Sequence, residues 1–287
     1  MKKLILFLIA LTLFADTLPT TIMHPARLMF YSIYPTDTAT HNSLTLTFTE
    51  TNDYEKEPVY YLDYELSALT LIAQKRVASD TSIRIIAPLY YVWGGFMDAP
   101  LDAFHNATGT LHGYRHNEDG KNRVHLYYGY AHKSSPYGAF GNIQVEVKQH
   151  FTLFGLDQAL ICGLKLPTAS KSSGFGSGKT DLMLGWIAQK GEFTLGLNLA
   201  YMGSFHIPNA SVKRLHYFAT LTWQHGNWLI DYRFASSPFS SSYVQFDSSS
   251  NIVDIAYKKG RWRFFVSENL APFYNSPDLT LGIVYTF

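Results

Sequence analysis

The sequence predicts an all-β protein, a transmembrane antiparallel β-barrel of about twelve strands, with fourteen as the alternative count. Three observations carry this expectation. Large apolar residues alternate with small or polar ones at a period of two, in segment after segment. Most segments run to ten to fourteen residues. Soluble strands average about five or six, whereas a tilted membrane strand needs about 9–11. Tight glycine-containing turns also alternate with long polar connections, the arrangement of a barrel with short periplasmic turns and longer external loops.

The chain opens "MKKLILFLIALTLFADT", with Lys2 and Lys3 ahead of an apolar run from Leu4 to Ala15. That run is too short to cross a bilayer as a helix and fits a secretory signal. Residues 1–15 are therefore read as a cleaved signal peptide of an exported chain. No later stretch reaches the roughly 18 apolar residues of a membrane helix. Residues 16–42 are expected to be an N-terminal lead-in on the periplasmic side. "RLMFYSIY" (27–34) is the extra strand if the count is fourteen.

The barrel itself is placed at 43–287. Its strands are expected at roughly 43–51, 59–75, 80–93, 139–151, 156–168, 178–190, 192–204, 212–225, 227–237, 250–259, 261–271 and 278–287. In "EFTLGLNLAYMG", Phe193, Leu195, Leu197, Leu199 and Tyr201 share one face, and Thr194, Gly196, Asn198 and Ala200 the other. "QKGE" (189–192), "QHGN" (224–227) and "KKGR" (258–261) are the tight turns. The long connections are 169–177, 205–211, the Ser-rich 236–250 and 272–277. Strict alternation of the two kinds holds only if 94–138 is a single external loop, expected to cap or enter the lumen. "RVHLYYGYAHK" (123–133) is then a hairpin on that loop.

Composition fits the same picture. Charged residues make up 16% and aromatic residues another 16%; about 25% charged is usual for a soluble domain. Such a surface does not face water alone. The net charge is +1 with no strongly basic segment, which gives no reason to expect a nucleic-acid partner. The single cysteine, Cys162, excludes an intrachain disulfide and is read as a small buried or lipid-facing residue.

"SSGFGSGKTD" (172–181) has the ending of a phosphate-binding loop. The first glycine of such a loop should stand at 173, where the chain has Ser173. The residues after it alternate as a strand, so no helix N-terminus is present to cradle a phosphate. No nucleotide and no cofactor is expected. "WGGFMDAPLDAFH" supplies Gly94, Gly95, Phe96, Asp98, Phe104 and His105 as loop or plug candidates, with a short amphipathic helix over 99–106. His105, His112 and His116 do not have the spacing of a recognised ligand set, and no nucleophile stands beside them. No catalytic residue and no metal ligand is assigned.

The strands carry Arg84, Glu146, Lys148, Lys165, Asp231 and Arg233 on their polar faces. Arg or Lys facing lipid near the midplane would cost about 2–4 kcal/mol each, so these six are expected to face the lumen. The closing residues Leu281, Ile283, Tyr285 and Phe287 alternate to a terminal phenylalanine. Bacterial outer-membrane barrels resemble this closely, and there such a strand is the signal read by the barrel-assembly machinery. An exposed edge can be captured by strand addition before closure.

"HPARLMFYSIYP" (24–35), "WGGFMDAPLDAFHNATG" (93–109), "GLKLPTASKSSGFGSGKTDLMLG" (163–185) and "FFVSENLAPFYNSPDLTLGIVYTF" (264–287) resemble a bacterial family of unknown function, number 3187. The likeness spans nearly the whole mature chain and implies an exported outer-membrane barrel. The "KLPT…GSG" stretch is also similar to barrels associated with aromatic-compound degradation, which implies passage of hydrophobic molecules. Together these readings give a monomeric outer-membrane barrel, embedded in the lipid bilayer, that passively admits small or hydrophobic molecules. The alternatives are an outer-membrane enzyme acting on lipid or peptide, and a structural or surface-interaction barrel.

Overall fold

The computed structural model describes residues 17–108, 121–242, 246–270 and 276–287. The expected signal peptide lies outside the described residues. The strands are, in chain order, β1 (Ser43–Glu57), β2 (Tyr60–Arg76), β3 (Thr81–Trp93), β4 (His125–Tyr128), β5 (Ala131–Lys133) and β6 (Tyr137–Phe140). They continue with β7 (Gln144–Leu153), β8 (Leu156–Lys165), β9 (Asp181–Lys190), β10 (Phe193–Tyr201), β11 (His206–Ile207) and β12 (Ala210–Val212). The last six are β13 (Leu215–His225), β14 (Trp228–Ala235), β15 (Phe239–Ser240), β16 (Ser250–Lys259), β17 (Trp262–Asn269) and β18 (Leu279–Thr286). Among the described residues the α-helices are α1 (Pro25–Leu28) and α2 (Asp98–Thr108).

Twelve strands close into one antiparallel barrel, in the order β1, β2, β3, β7, β8, β9, β10, β13, β14, β16, β17, β18. The last pairs with the first in the register Thr49↔Gly282. Each overlaps one of the twelve expected segments, and the count of fourteen does not arise. Alternation is the cause. Along β10 the large apolar residues are exposed and Thr194, Gly196, Asn198 and Ala200 are buried. The exposed set forms the apolar outer band of such a barrel. The tight turns follow from Gly191, Gly226 and Gly260, with φ of 57°, 58° and 61°, which an L side chain rarely adopts.

Pro88 sits within β3, where it cannot donate to a ladder. The neighbouring strand is interrupted there, between β6 and β7, and Gly141 N–H donates to the Pro88 carbonyl at 2.9 Å. The Gly141 carbonyl, which the missing N–H cannot serve, accepts instead from Thr168 Oγ1 at 2.8 Å.

Beyond the band, β4 pairs with the upper end of β2 and β6 with the upper end of β3. β4 and β5 form a hairpin, as expected for 123–133. Its Leu126, Tyr128 and Ala131 are buried with Phe175, Phe239 and Phe246, and this apolar cluster covers one end of the lumen. A small sheet of β11, β12 and β15 lies at the same end of the strands.

Two expectations are corrected. Residues 17–42 are not a periplasmic lead-in, and 27–34 is not a strand. The segment runs inside the barrel, with residues 20–32 all buried. It is rich in large apolar residues without a period, so it gains by filling a lumen but cannot join a wall. The second correction concerns 94–98. On β1 and β2 the exposed Phe48, Leu69 and Leu71 share their outward face with Glu50, Asn52, Glu65 and Ser67. Trp93 Nε1 donates to Glu50 at 2.9 Å, Asn52 Nδ2 donates to Asp98 at 3.0 Å, and Met97 N–H donates to Glu65. Gly95 fits because it has no side chain; a Cβ there would lie 1.7 Å from the Glu65 carboxyl carbon. This stretch leans on the outer wall, drawn there by carboxylates that need donors. The long loop caps the lumen with its hairpin, and the lumen is filled by the N-terminal segment.

Candidate functional site

The interface between the N-terminal plug and the barrel wall is the candidate site. The inward residues of β7 are spaced by about 7 Å, two residues at roughly 3.4 Å each. They and their neighbours form a ladder of cations. At one level Lys148 Nζ meets Asp37 Oδ1 at 3.2 Å and the Asp37 carbonyl at 3.0 Å. At the next, Arg84 pairs with Glu146 at 2.6 Å and donates to the Tyr34 carbonyl at 2.7 Å, while Tyr31 Oη donates to Glu146 at 2.8 Å. Above it, Lys165 pairs with Asp181 at 3.2 Å and donates to the Met29 carbonyl at 3.1 Å. Asn142 Nδ2 adds bonds to the Leu28 and Phe175 carbonyls, at 3.1 and 2.8 Å. The wall thus holds the plug largely through the plug's backbone oxygens.

Arg27, on α1, reaches the other side. Its guanidinium donates to Ser250 Oγ at 2.7 Å, to the Ser248 carbonyl at 3.1 Å and to the Ser236 carbonyl. Burial pulls its pKa down to about 9. On β14, Arg233 binds Asp254 through two nitrogens and lies 3.5 Å from Asp231, which accepts from Thr222 at 2.6 Å.

His24 caps α1, with Nδ1 accepting from Ala26 N–H at 3.1 Å. Its Nε2 lies 3.5 Å from Asp53 and 3.7 Å from Glu55. The trio has the residue types of a metal site, but the donor set does not fit. An Nδ1 that accepts places the proton on Nε2, the atom a metal would need. Burial, with Arg27 beside it, holds this ring neutral well below its ordinary pKa.

All six residues expected in the lumen face it. Arg84, Glu146, Lys148 and Lys165 gather on β3, β7 and β8; Asp231 and Arg233 lie apart on β14. Gly94, Gly95, Phe96 and Asp98 are not among them. Phe96 is 55% exposed, and both Asp98 oxygens are occupied, by Asn52 and by Asn122 N–H at 2.7 Å. Phe104 and His105 lie on α2, and their side chains are outside the described residues. Leu281, Ile283 and Phe287 face outward, with Tyr285 packed between Trp262 and Phe287. Sequence reasoning missed Asp181 and Asp254, although the same alternation marks them as inward. It also missed Arg27, Tyr31 and Asp37, for which the aperiodic plug offers no local signal.

Two narrow cavities flank the plug. One is lined by Phe30, His216, Phe218 and Arg233, the other by Pro35, Thr194, Gly196 and Asn198. Ile33 and Thr220 line both.

Among solved structures, the chain is similar to the COG4313 outer membrane channel from Pseudomonas putida F1. The TM-score is 0.51 at 11% identity, covering 89% of this chain and 100% of that one. Outer membrane phospholipase A from Escherichia coli follows at 0.45 and 10% identity, over 92% of this chain and 97% of that one. A mutant porin from Rh. blastica scores 0.38 at 9% identity, over 86% and 99%. At these identities the likeness concerns the fold, which is that of bacterial outer-membrane barrels. No curated protein matches the chain. Residues 15–287 match the family described as protein of unknown function (DUF3187), and the chain belongs to that family.

Proposed function

We propose that the chain is an outer-membrane channel for small molecules, closed at rest by its own N-terminal segment. The observation that carries the reading is the seating of the plug. It fills the lumen and is tied by non-covalent bonds to the cations of β3, β7 and β8. Two small cavities lie between it and the wall, one against β13 and β14 and one reaching β10. A segment held this way can shift without breaking the wall, because every barrel strand keeps both of its ladders. The cavity walls mix Phe30, Ile33 and Phe218 with Thr220 and Arg233, which suits small solutes with an apolar part.

The reading has no catalytic step. It places the protein in the outer membrane as a monomer, delivered by the assembly machinery through Leu281, Ile283, Tyr285 and Phe287. Planar-bilayer recording tests the channel. The full chain should be mostly silent with brief openings, and a variant lacking residues 17–40 should conduct steadily. A deletion variant that folds, seen as heat-modifiable gel mobility, yet stays silent would overturn the reading.

A further inference from the structure

The outer wall carries a feature the channel reading does not use. Lys171, Lys179 and Arg214 are all exposed at the loop end of β9, β10 and β13. Their stems are fixed. Arg214 lies 5.7 Å over the Tyr201 ring and donates to the Met202 carbonyl at 3.1 Å. Lys171 lies 5.5 Å over Phe205. Lys171 rests against Gly178 and Lys179 against Gly203, where a Cβ would approach them to 2.6 and 2.5 Å. Among the described residues none of the three forms an ion pair, whereas Lys213 nearby is paired with Asp247 at 2.5 Å.

Directly below lies the lipid-facing row Leu182, Tyr201 and Leu215, joined across β9, β10 and β13. Two residues further down, about 7 Å, a groove of about 470 Å³ opens in the wall. Leu184, Leu199, Tyr217 and Phe234 form its sides and Gly185 part of its floor. It exists because Ala219 stands between Leu197 and Phe234 on neighbouring strands, so one small side chain interrupts a band of large ones.

We propose that this surface binds one phosphorylated lipid, with the phosphate on Lys171, Lys179 and Arg214 and an acyl chain in the groove. Three unpaired cations at a membrane rim attract a phosphate monoester, which carries about −1.5 to −2 charges. The apolar groove beneath is placed for the chain attached to it. The inference rests on the barrel lying in a membrane and is independent of whether the lumen conducts.

Native mass spectrometry of the folded full-length chain, transferred from phosphatidylcholine nanodiscs, tests it with phosphatidic acid as probe. One phosphatidic acid should be retained, and its dephosphorylated counterpart, diacylglycerol, should not. Lys171→Gln with Lys179→Gln and Arg214→Gln should weaken retention roughly a hundredfold, since each cation contributes about fivefold. Ala219→Phe, which fills the groove and leaves the charges, should weaken it as well. Equal retention by the charge variant would overturn the proposal. So would full displacement by inorganic phosphate, or no effect of Ala219→Phe, since either would mean that charge alone binds.

Discussion

Replacing Lys165 by Met should loosen the wall and the plug together. The ammonium is fully buried and serves Asp181 at 3.2 Å, the Met29 carbonyl at 3.1 Å and Ser177 Oγ at 2.9 Å. Met keeps much of the side-chain volume, so the packing loss is small. The counter-charge is what disappears. Asp181 is buried; its Oδ1 accepts from Gly203 N–H at 2.8 Å, and its Oδ2 has no hydrogen-bond partner and relies on the lysine's charge. Removing one member of a buried pair costs about 3–5 kcal/mol. The Met29 carbonyl loses its shorter, charged donor and keeps Asn142 Nδ2 at 3.4 Å, adding about 1 kcal/mol to the cost of seating the plug. The variant should therefore unfold at clearly lower urea, followed by heat-modifiable gel mobility, and should open more often in bilayers. Adding Asp181→Asn removes the stranded charge, keeps the Gly203 bond and should recover about 3 kcal/mol. A single variant within about 1 kcal/mol of the parent, or a double variant less stable than the single, would refute this account of the pair.

Gly163→Val should unseat the plug, because a Cβ there would lie 2.0 Å from Tyr31 Oη and would break its bond to Glu146; Tyr31→Ala in the same chain should relieve the clash, and conductance measures both. Asp37→Asn removes the counter-charge of the buried Lys148. At about 2 kcal/mol it should shift the closed-to-open ratio by roughly thirtyfold, and an unchanged open probability would count against the ladder. Acidification should favour opening. His24 is held neutral in the seated plug, while a released ring regains its ordinary pKa of about 6.5. Below that pH the released state takes up a proton that the seated state does not, so seating weakens by up to about 1.4 kcal/mol per pH unit. Asp53 and Glu55 on β1 face the same ring, so the assay is the difference in pH profile between the parent and His24→Asn, which keeps a cap acceptor. Deleting Phe287 should lower the yield of heat-modifiable barrel in the outer-membrane fraction without changing the urea midpoint of the molecules that fold. A lowered midpoint would assign that residue to stability instead of assembly.

The barrel was legible because strand alternation is local. Each pair such as Leu195 and Gly196 declares its two faces whatever else the chain does, and twelve such segments leave closure as the way to hide every sheet edge. The same rule put Arg84, Glu146, Lys148, Lys165, Asp231 and Arg233 inside, since lipid does not tolerate them outside. "SSGFGSGKTD", with its phosphate-loop ending, was set apart from a nucleotide site by Ser173 in place of the first glycine and by the strand pattern that follows it. In the structure its Phe175 packs 4.7 Å from the Tyr90 ring and helps cap the lumen.

What fills the lumen was decided only in three dimensions. Residues 17–42 have no period, and their partners lie far along the chain: Arg27 and Ser250 are 223 positions apart. Nothing local distinguishes a segment bound for the lumen from one left in the periplasm. The stretch after β3 likewise went to the outer wall because Glu50 and Glu65, neighbours only once β1 and β2 pair, draw its donors there. The sequence by itself determined the wall, because lipid and lumen impose a rule on each residue in turn. The tertiary structure decided the plug, because its place depends on carbonyls and side chains meeting across a closed barrel.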